Sequence, residues 1–226
     1  MKTSKIVLPQ GLVILSDWDG TQVSGSKPKG GSMIYNFKRQ LVMKPTESKL
    51  KNWAKVKFTK SKFANAEYIN GAGFFSHRQM IKGNPVSIVT ATPANAFNNY
   101  RESESINTVA PIDQTFDYIT TGDEAGYDEK KNPELWEIAA RKRGVELSHT
   151  VRIDDSFNAL EGMLYGNPNR RGRIIAMHNP NLSQEEQHEI RKLRDRGYIE
   201  LAHSFRDIVF EGEHTTLCDG NLVKLL

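Results

Sequence analysis

"VILSDWDGT", residues 13–21, runs four apolar or small residues into two aspartates spaced by one, followed by Gly20 and Thr21. A greasy strand that stops at two carboxylates sets a physical problem, because like charges close together in a low-dielectric crevice repel strongly unless a cation joins them. The end of such a strand is also where a ligand is expected: in an open parallel sheet the binding crevice lies beyond the carboxyl ends of the strands. That run spans Leu12 to Ser16, and further apolar runs supply its neighbours in such a sheet, namely Val86 to Thr90, Tyr118 to Thr120, Thr150 to Ile153, Arg173 to His178 and Ile199 to Ala202. "GLVILS", "VSIVT" and "RIIAM" are continuous rather than alternating, as strands covered on both faces are.

Helical patterns fit between these runs. "NPELWEIAARKRG" carries Pro133 at a first-turn position, Leu135, Ile138 and Ala139 at helical spacing, and Gly144 as a stop. "LSQEEQHEIRKLRDRG" opens with Ser183 and Glu186 in capping-box register and ends at Gly197. Strand and helix signals in alternation predict an α/β fold, a Rossmann-like three-layer sandwich with a central parallel sheet. Two regions break the rhythm. Residues 22–63, opening with "SGSKPKGG", read as a small flap or cap inserted beside the first strand, with "MIYNFKRQLVM" and "AKVKFTKSKF" as hairpin strands flanking a short helix from Thr46. Pro93 to Lys131 is polar and acidic and reads as a helix, a strand and a surface loop.

The 226 residues, 38% hydrophobic and 26% charged, suit one globular domain spanning 1–226 with that insertion inside it. Nothing approaches eighteen consecutive apolar residues, so no transmembrane helix is expected. Pro9, Gln10 and Gly11 interrupt the apolar N-terminal run and no small-residue cleavage site follows, so no signal peptide is read and a cytoplasmic location is expected. The single Cys218 leaves neither an internal disulfide nor a cysteine-based zinc site and reads as a structural thiol. The six histidines, His77, His149, His178, His188, His203 and His214, show no metal-ligand spacing and read as structural or exposed. "GAG" at 71–73 has no preceding strand and is not a nucleotide fingerprint.

The net charge of +4 is unevenly spread: from Ser24 to Phe63 ten Lys and one Arg face the single Glu47, so this segment carries +10 and the remainder −6. Interleaved with Tyr35, Phe37, Trp53, Phe58 and Phe63, it suits a polyanion, or else forms a solvated face whose lysine stems cover apolar surface.

If the sheet forms, its strand ends bring together Asp17 and Asp19, Thr90 and Thr92, and Asp154, Asp155 and Ser156, with Lys130 and Lys131 just ahead of the Pro133 helix. Oxygen-only ligands select a hard ion such as Mg²⁺, and magnesium favours phosphate oxygens, so the constellation implies a phosphorylated substrate. With the charge absorbed, one aspartate can attack phosphorus while the next but one holds the leaving group's proton and later takes one from water. Gly20 allows a sharp turn beside the phosphate, and the "DD" of "IDDS" also reads as a cap for a helix beginning "SFNALEGML".

Taken in order, "VILSDWDGT", "SIVTAT", the lysine ahead of "NPELWEIAARKRGV" and "VRIDDS" resemble the four motifs of the haloacid dehalogenase-like (HAD) superfamily of phosphohydrolases, over about residues 11 to 160 and with a similar strand-helix-strand tail. The resemblance implies that Asp17 is nucleophile and metal ligand, and that Asp19 is general acid/base and binds metal through its backbone carbonyl. It implies that Thr90, with Ala91 beside it, holds phosphoryl oxygens, and that Asp155 completes the metal shell with Asp154, Gly20 and Thr21 in support. Family members often read Lys-Pro-x-Pro at the third motif. Aligning Pro133 with the last proline makes Lys130 the phosphate-binding lysine, although Lys131 stands where the first proline would be. An aspartate two residues after the nucleophile resembles a phosphatase rather than a true dehalogenase, which lacks that acid. About forty residues between Thr21 and Phe63 are too few for a full helical cap and more than a bare hairpin. An open site beside a basic flap is expected to take a phosphoprotein or a nucleic-acid end, with a sugar or nucleotide phosphate, or phosphate recognition without catalysis, as the alternatives.

Overall fold

The computed structural model describes residues 5–24, 66–69, 71–125, 133–165 and 172–213. In chain order the strands are β1 Ile6–Leu8, β2 Val13–Ser16, β3 Val23–Ser24, β4 Glu67–Tyr68, β5 Val86–Thr90, β6 Tyr118–Thr121, β7 Thr150–Asp154, β8 Arg173–Met177, β9 Glu200–Ala202 and β10 Ile208–Phe210. The α-helices are α1 Ala72–Ile81, α2 Ala94–Arg101, α3 Glu104–Val109, α4 Ile112–Thr115, α5 Glu134–Lys142, α6 Phe157–Tyr165 and α7 Gln184–Asp195. Six strands form one all-parallel sheet in the order β6-β5-β2-β7-β8-β9.

Every residue of β2, β5 and β7 is buried, because the sheet is covered twice. Ile14, Ile88, Ile153 and Ile175 pack on one side with Phe75 of α1, Phe97 and Tyr100 of α2 and Phe210 of β10. Their neighbours Val13, Leu15, Val89, Ile174 and Ala176 pack on the other with Leu135 and Trp136 of α5, Leu160 and Met163 of α6 and Ile190 of α7. This is the three-layer sandwich expected from the uninterrupted apolar runs. Arg152 is the exception within them: it is buried in β7, its guanidinium donates to the Met163 carbonyl at 3.2 Å, and burial pulls its pKa down to about 10.

Local signals set the helices. Ser183 Oγ accepts from the Glu186 N–H at 3.2 Å while Glu186 returns a bond to the Ser183 N–H at 3.0 Å, the reciprocal cap anticipated for α7. Pro133 stands immediately before α5. Two features differ from the sequence reading. Residues 94–115 form three short helices rather than one, and β1 pairs in parallel with β10, Ile6 opposite Ile208, as a separate two-stranded sheet. β3 and β4 pair antiparallel, Ser24 opposite Glu67, so the chain leaves and re-enters the described fold at one place. The flap strands, the Thr46 helix, His214 and Cys218 lie outside the described residues.

Candidate active site

β5, β2 and β7 are adjacent at the centre of the sheet, and the order of connection reverses there, since the chain moves from β2 to β5 and β6 and then crosses to β7. A crevice is expected at such a point, on the side of the carboxyl ends. The Asp17 N–H continues the ladder by donating to the Ile153 carbonyl at 2.8 Å, which sets Asp17 beside the end of β7. Asp17, Asp154 and Asp155 consequently meet: each presents an oxygen within 4.8 Å of the others, and all three are buried. Thr21 stitches the group, its hydroxyl shared between Asp17 Oδ2 at 3.2 Å and Asp155 Oδ1 at 3.1 Å. Asn179, just past β8, donates to Asp155 Oδ2 at 2.5 Å. Asp154 also accepts from the Ser156 N–H at 2.8 Å, and Ser156 Oγ accepts from the Ala159 N–H at 3.2 Å, so the cap of α6 comes from Ser156, braced by Asp154.

Gly20 lies against this group with φ +90°, and a Cβ there would fall 2.4 Å from Asp155 Oδ2. Only glycine lets the turn after β2 pass so close to the carboxylate. Three buried carboxylates with hydroxyl and amide neighbours form an all-oxygen acceptor set, which fits a hard divalent cation such as Mg²⁺ and not a soft one.

Asp19 is not a member of this acidic group. Its Oδ2 accepts from the Thr92 hydroxyl at 3.0 Å and its Oδ1 from the Tyr100 phenol of α2. Burial, with the charges of Asp19 and Asp17 adding to it, raises the Tyr100 phenol far above its ordinary range, so it stays a donor. Between the two aspartates Trp18 turns into the core, edge-on to Tyr68, Phe97, Tyr100 and Phe116 at 5.3 to 5.9 Å. That anchor fixes the backbone from which both carboxylates project. Thr90 is buried at the end of β5, and its Oγ1 accepts from the Thr92 N–H at 3.1 Å. Ala91 is exposed, and its carbonyl packs so tightly over Gly122 that a Cβ there would lie 2.4 Å away. Lys130 and Lys131 lie outside the described residues.

Sequence reading alone passed over Tyr100 and Asn179 and named Thr92 only as a strand-end hydroxyl. It also treated the histidines singly, whereas His178 and His203, after β8 and β9, lie with ring centroids 5.1 Å apart. Burial, then His203 and Arg191, lower the His178 pKa below its ordinary 6.5.

No family model matches the chain, and no curated protein does. Solved structures do. A CbbY mutant from Rhodobacter sphaeroides, in complex with xylulose-(1,5)bisphosphate, is 18% identical with a TM-score of 0.59, over 85% of this chain and 94% of its own. A HAD hydrolase of family IA, variant 3, from Entamoeba histolytica is 16% identical with a TM-score of 0.61, over 87% and 95%. A HAD family hydrolase from Deinococcus radiodurans R1, with bound phosphate and sodium, is 15% identical with a TM-score of 0.53, over 84% and 98%. Set beside the parallel sheet and its strand-end aspartates, these likenesses give the chain the fold of the haloacid dehalogenase-like superfamily.

Proposed function

We propose that the protein is a Mg²⁺-dependent phosphatase that hydrolyses a phosphomonoester through an aspartyl-phosphate. The observation that carries this reading is the meeting of Asp17, Asp154 and Asp155 within 4.8 Å at the ends of β2 and β7. Three buried like charges are costly unless a cation is shared among them, and a cation-bearing anionic crevice suits a phosphoryl group. Magnesium, which Asp17, Asp155 and the Asp19 carbonyl would hold with Asp154 in support, would neutralise charge on the phosphoryl oxygens.

The chain's own residues do the rest. An Asp17 oxygen attacks phosphorus as the ester P–O bond breaks, and Asp19 gives its proton to the departing oxygen. Asp19 then takes a proton from water, whose oxygen attacks phosphorus and breaks the bond to Asp17. This releases phosphate and restores the carboxylate. Thr90 and the turn at Ala91 hold phosphoryl oxygens, and Lys130 is the cation for the same group, with Lys131 the other candidate for that part. Positioning and charge stabilisation are most of what phosphoryl transfer requires.

We read the chain as one domain with residues 22–63 inserted between the first and second halves of the site, since β3, at the start of that stretch, pairs with β4, just past its end. Its +10 charge favours a polyanionic substrate, a phosphoprotein or a nucleic-acid end. A small-metabolite substrate is the second reading, supported by the bisphosphate in the CbbY complex. No helix among the described residues is long and apolar enough to cross a membrane. The test is phosphate release by the purified chain with Mg²⁺ from phosphopeptides, end-phosphorylated oligonucleotides, sugar phosphates and nucleotides. Release from a macromolecular substrate is expected, with kcat/KM falling steeply as salt rises. Salt-independent turnover confined to small phosphates would favour the metabolite reading, and no turnover of any of them would leave a phosphate-binding scaffold.

A further inference from the structure

We infer that Tyr100 is the positioning residue for Asp19, acting with Thr92 as a two-armed clamp that aims the carboxylate at the leaving-group oxygen. The inference rests on the reading of Asp19 as the group that handles the leaving group's proton. The two arms come from different elements. The Tyr100 hydroxyl reaches Asp19 Oδ1 from α2, and Thr92 Oγ1 reaches Oδ2 at 3.0 Å from the turn after β5. With a donor on each oxygen, the carboxylate cannot rotate without breaking a hydrogen bond.

Both arms are themselves held. Tyr100 is fully buried, with its ring 5.3 Å from Trp18 and 5.6 Å from Phe97, so the phenol has no room to swing aside. The Thr92 backbone is pinned on both sides, its N–H to Thr90 Oγ1 at 3.1 Å and its carbonyl accepting from the Gly122 N–H at 3.3 Å. Trp18 ties the arrangement together, because it precedes Asp19 in the chain and packs on Tyr100 in space. One aromatic cluster therefore fixes both the backbone that carries the carboxylate and the phenol that orients it. A proton-transfer group held in this way has its geometry set before substrate arrives.

Steady-state kinetics of the purified chain with Mg²⁺ and an alkyl phosphate such as glycerol 2-phosphate test this. Tyr100→Phe keeps the ring and removes only the hydroxyl; kcat is expected to fall about tenfold or more, a part of what a general acid supplies, with KM within about twofold. Thr92→Val should act in the same direction and Thr92→Ser should restore the rate. Ile190→Ala, in the core on the opposite face of the sheet, should lower the melting temperature but leave kcat within about twofold. Full kcat in Tyr100→Phe, or a change confined to KM, overturns the inference. If that variant does not fold, Thr92→Val, at a partly exposed position, carries the test, and full kcat there overturns it. Absence of turnover in the unsubstituted chain, with glycerol 2-phosphate and with every phosphopeptide, oligonucleotide, sugar phosphate and nucleotide named above, removes the phosphatase reading and this one together, whereas an active parent with an equally active Tyr100→Phe removes this one alone.

Discussion

Asp17→Asn is expected to lower phosphate release by about 10³-fold or more, as loss of a nucleophile does, with no fall in melting temperature. Asparagine keeps the shape of the side chain and its Oδ1 can still accept from Thr21, which lies 3.2 Å from the aspartate oxygen. What it loses is the second anionic oxygen that attacks phosphorus. It also removes one of three carboxylates buried within 4.8 Å of one another, so in chelator the variant should melt at or above the temperature of the parent. Paired measurement of turnover and melting separates a chemical role from a structural one. Loss of activity together with a lower melting temperature, or activity within about tenfold of the parent, would speak against Asp17 as nucleophile.

The second large effect is expected from Gly20→Ala. Two costs coincide at this residue. A Cβ would meet Asp155 Oδ2 at 2.4 Å, and φ +90° is a backbone conformation that other residues adopt only under strain. Asp155 has little freedom to yield, since Thr21 and Asn179 hold its two oxygens. Displacing it should raise the Mg²⁺ concentration needed for half-maximal activity and lower kcat/KM by about 10²-fold, the scale on which a misplaced group near reacting atoms is felt. A Mg²⁺ titration of activity checks this; an unchanged titration midpoint would detach Gly20 from the metal group.

What could be read from the sequence follows from how locally each feature is determined. β2, β5 and β8 are written as apolar runs because both faces are covered, β7 is broken by Arg152, and the "DWDGT" and "IDDS" at the ends of β2 and β7 need only those strands to be parallel and adjacent to come together. The cap of α7 is a four-residue signal and was equally legible. Features set by packing across the chain left no such mark. Ile6 pairs with Ile208 through a contact that no local pattern announces, so β1 and β10 were not foreseen. The helices over residues 94–115 are short and polar, and their burial rests on one or two apolar residues each, Phe97 and Tyr100 in α2, Ile106 in α3 and Ile112 in α4. Tyr100 lies 81 residues from Asp19 and Asn179 lies 24 from Asp155, so both are site partners only because the fold makes them so. A tyrosine in "NNYR" and an asparagine in "HNPN" have no motif to betray them.

The most direct measurement is a crystal structure of the full chain grown with Mg²⁺ and beryllium trifluoride, a mimic of an acyl-phosphate. The expected result is beryllium bound to an Asp17 oxygen, one Mg²⁺ shared between that group and Asp155, and Asp19 facing the vacant side of the beryllium with Tyr100 and Thr92 still on its oxygens. Magnesium seated away from Asp17 and Asp155, or beryllium attached to a residue other than Asp17, would contradict it.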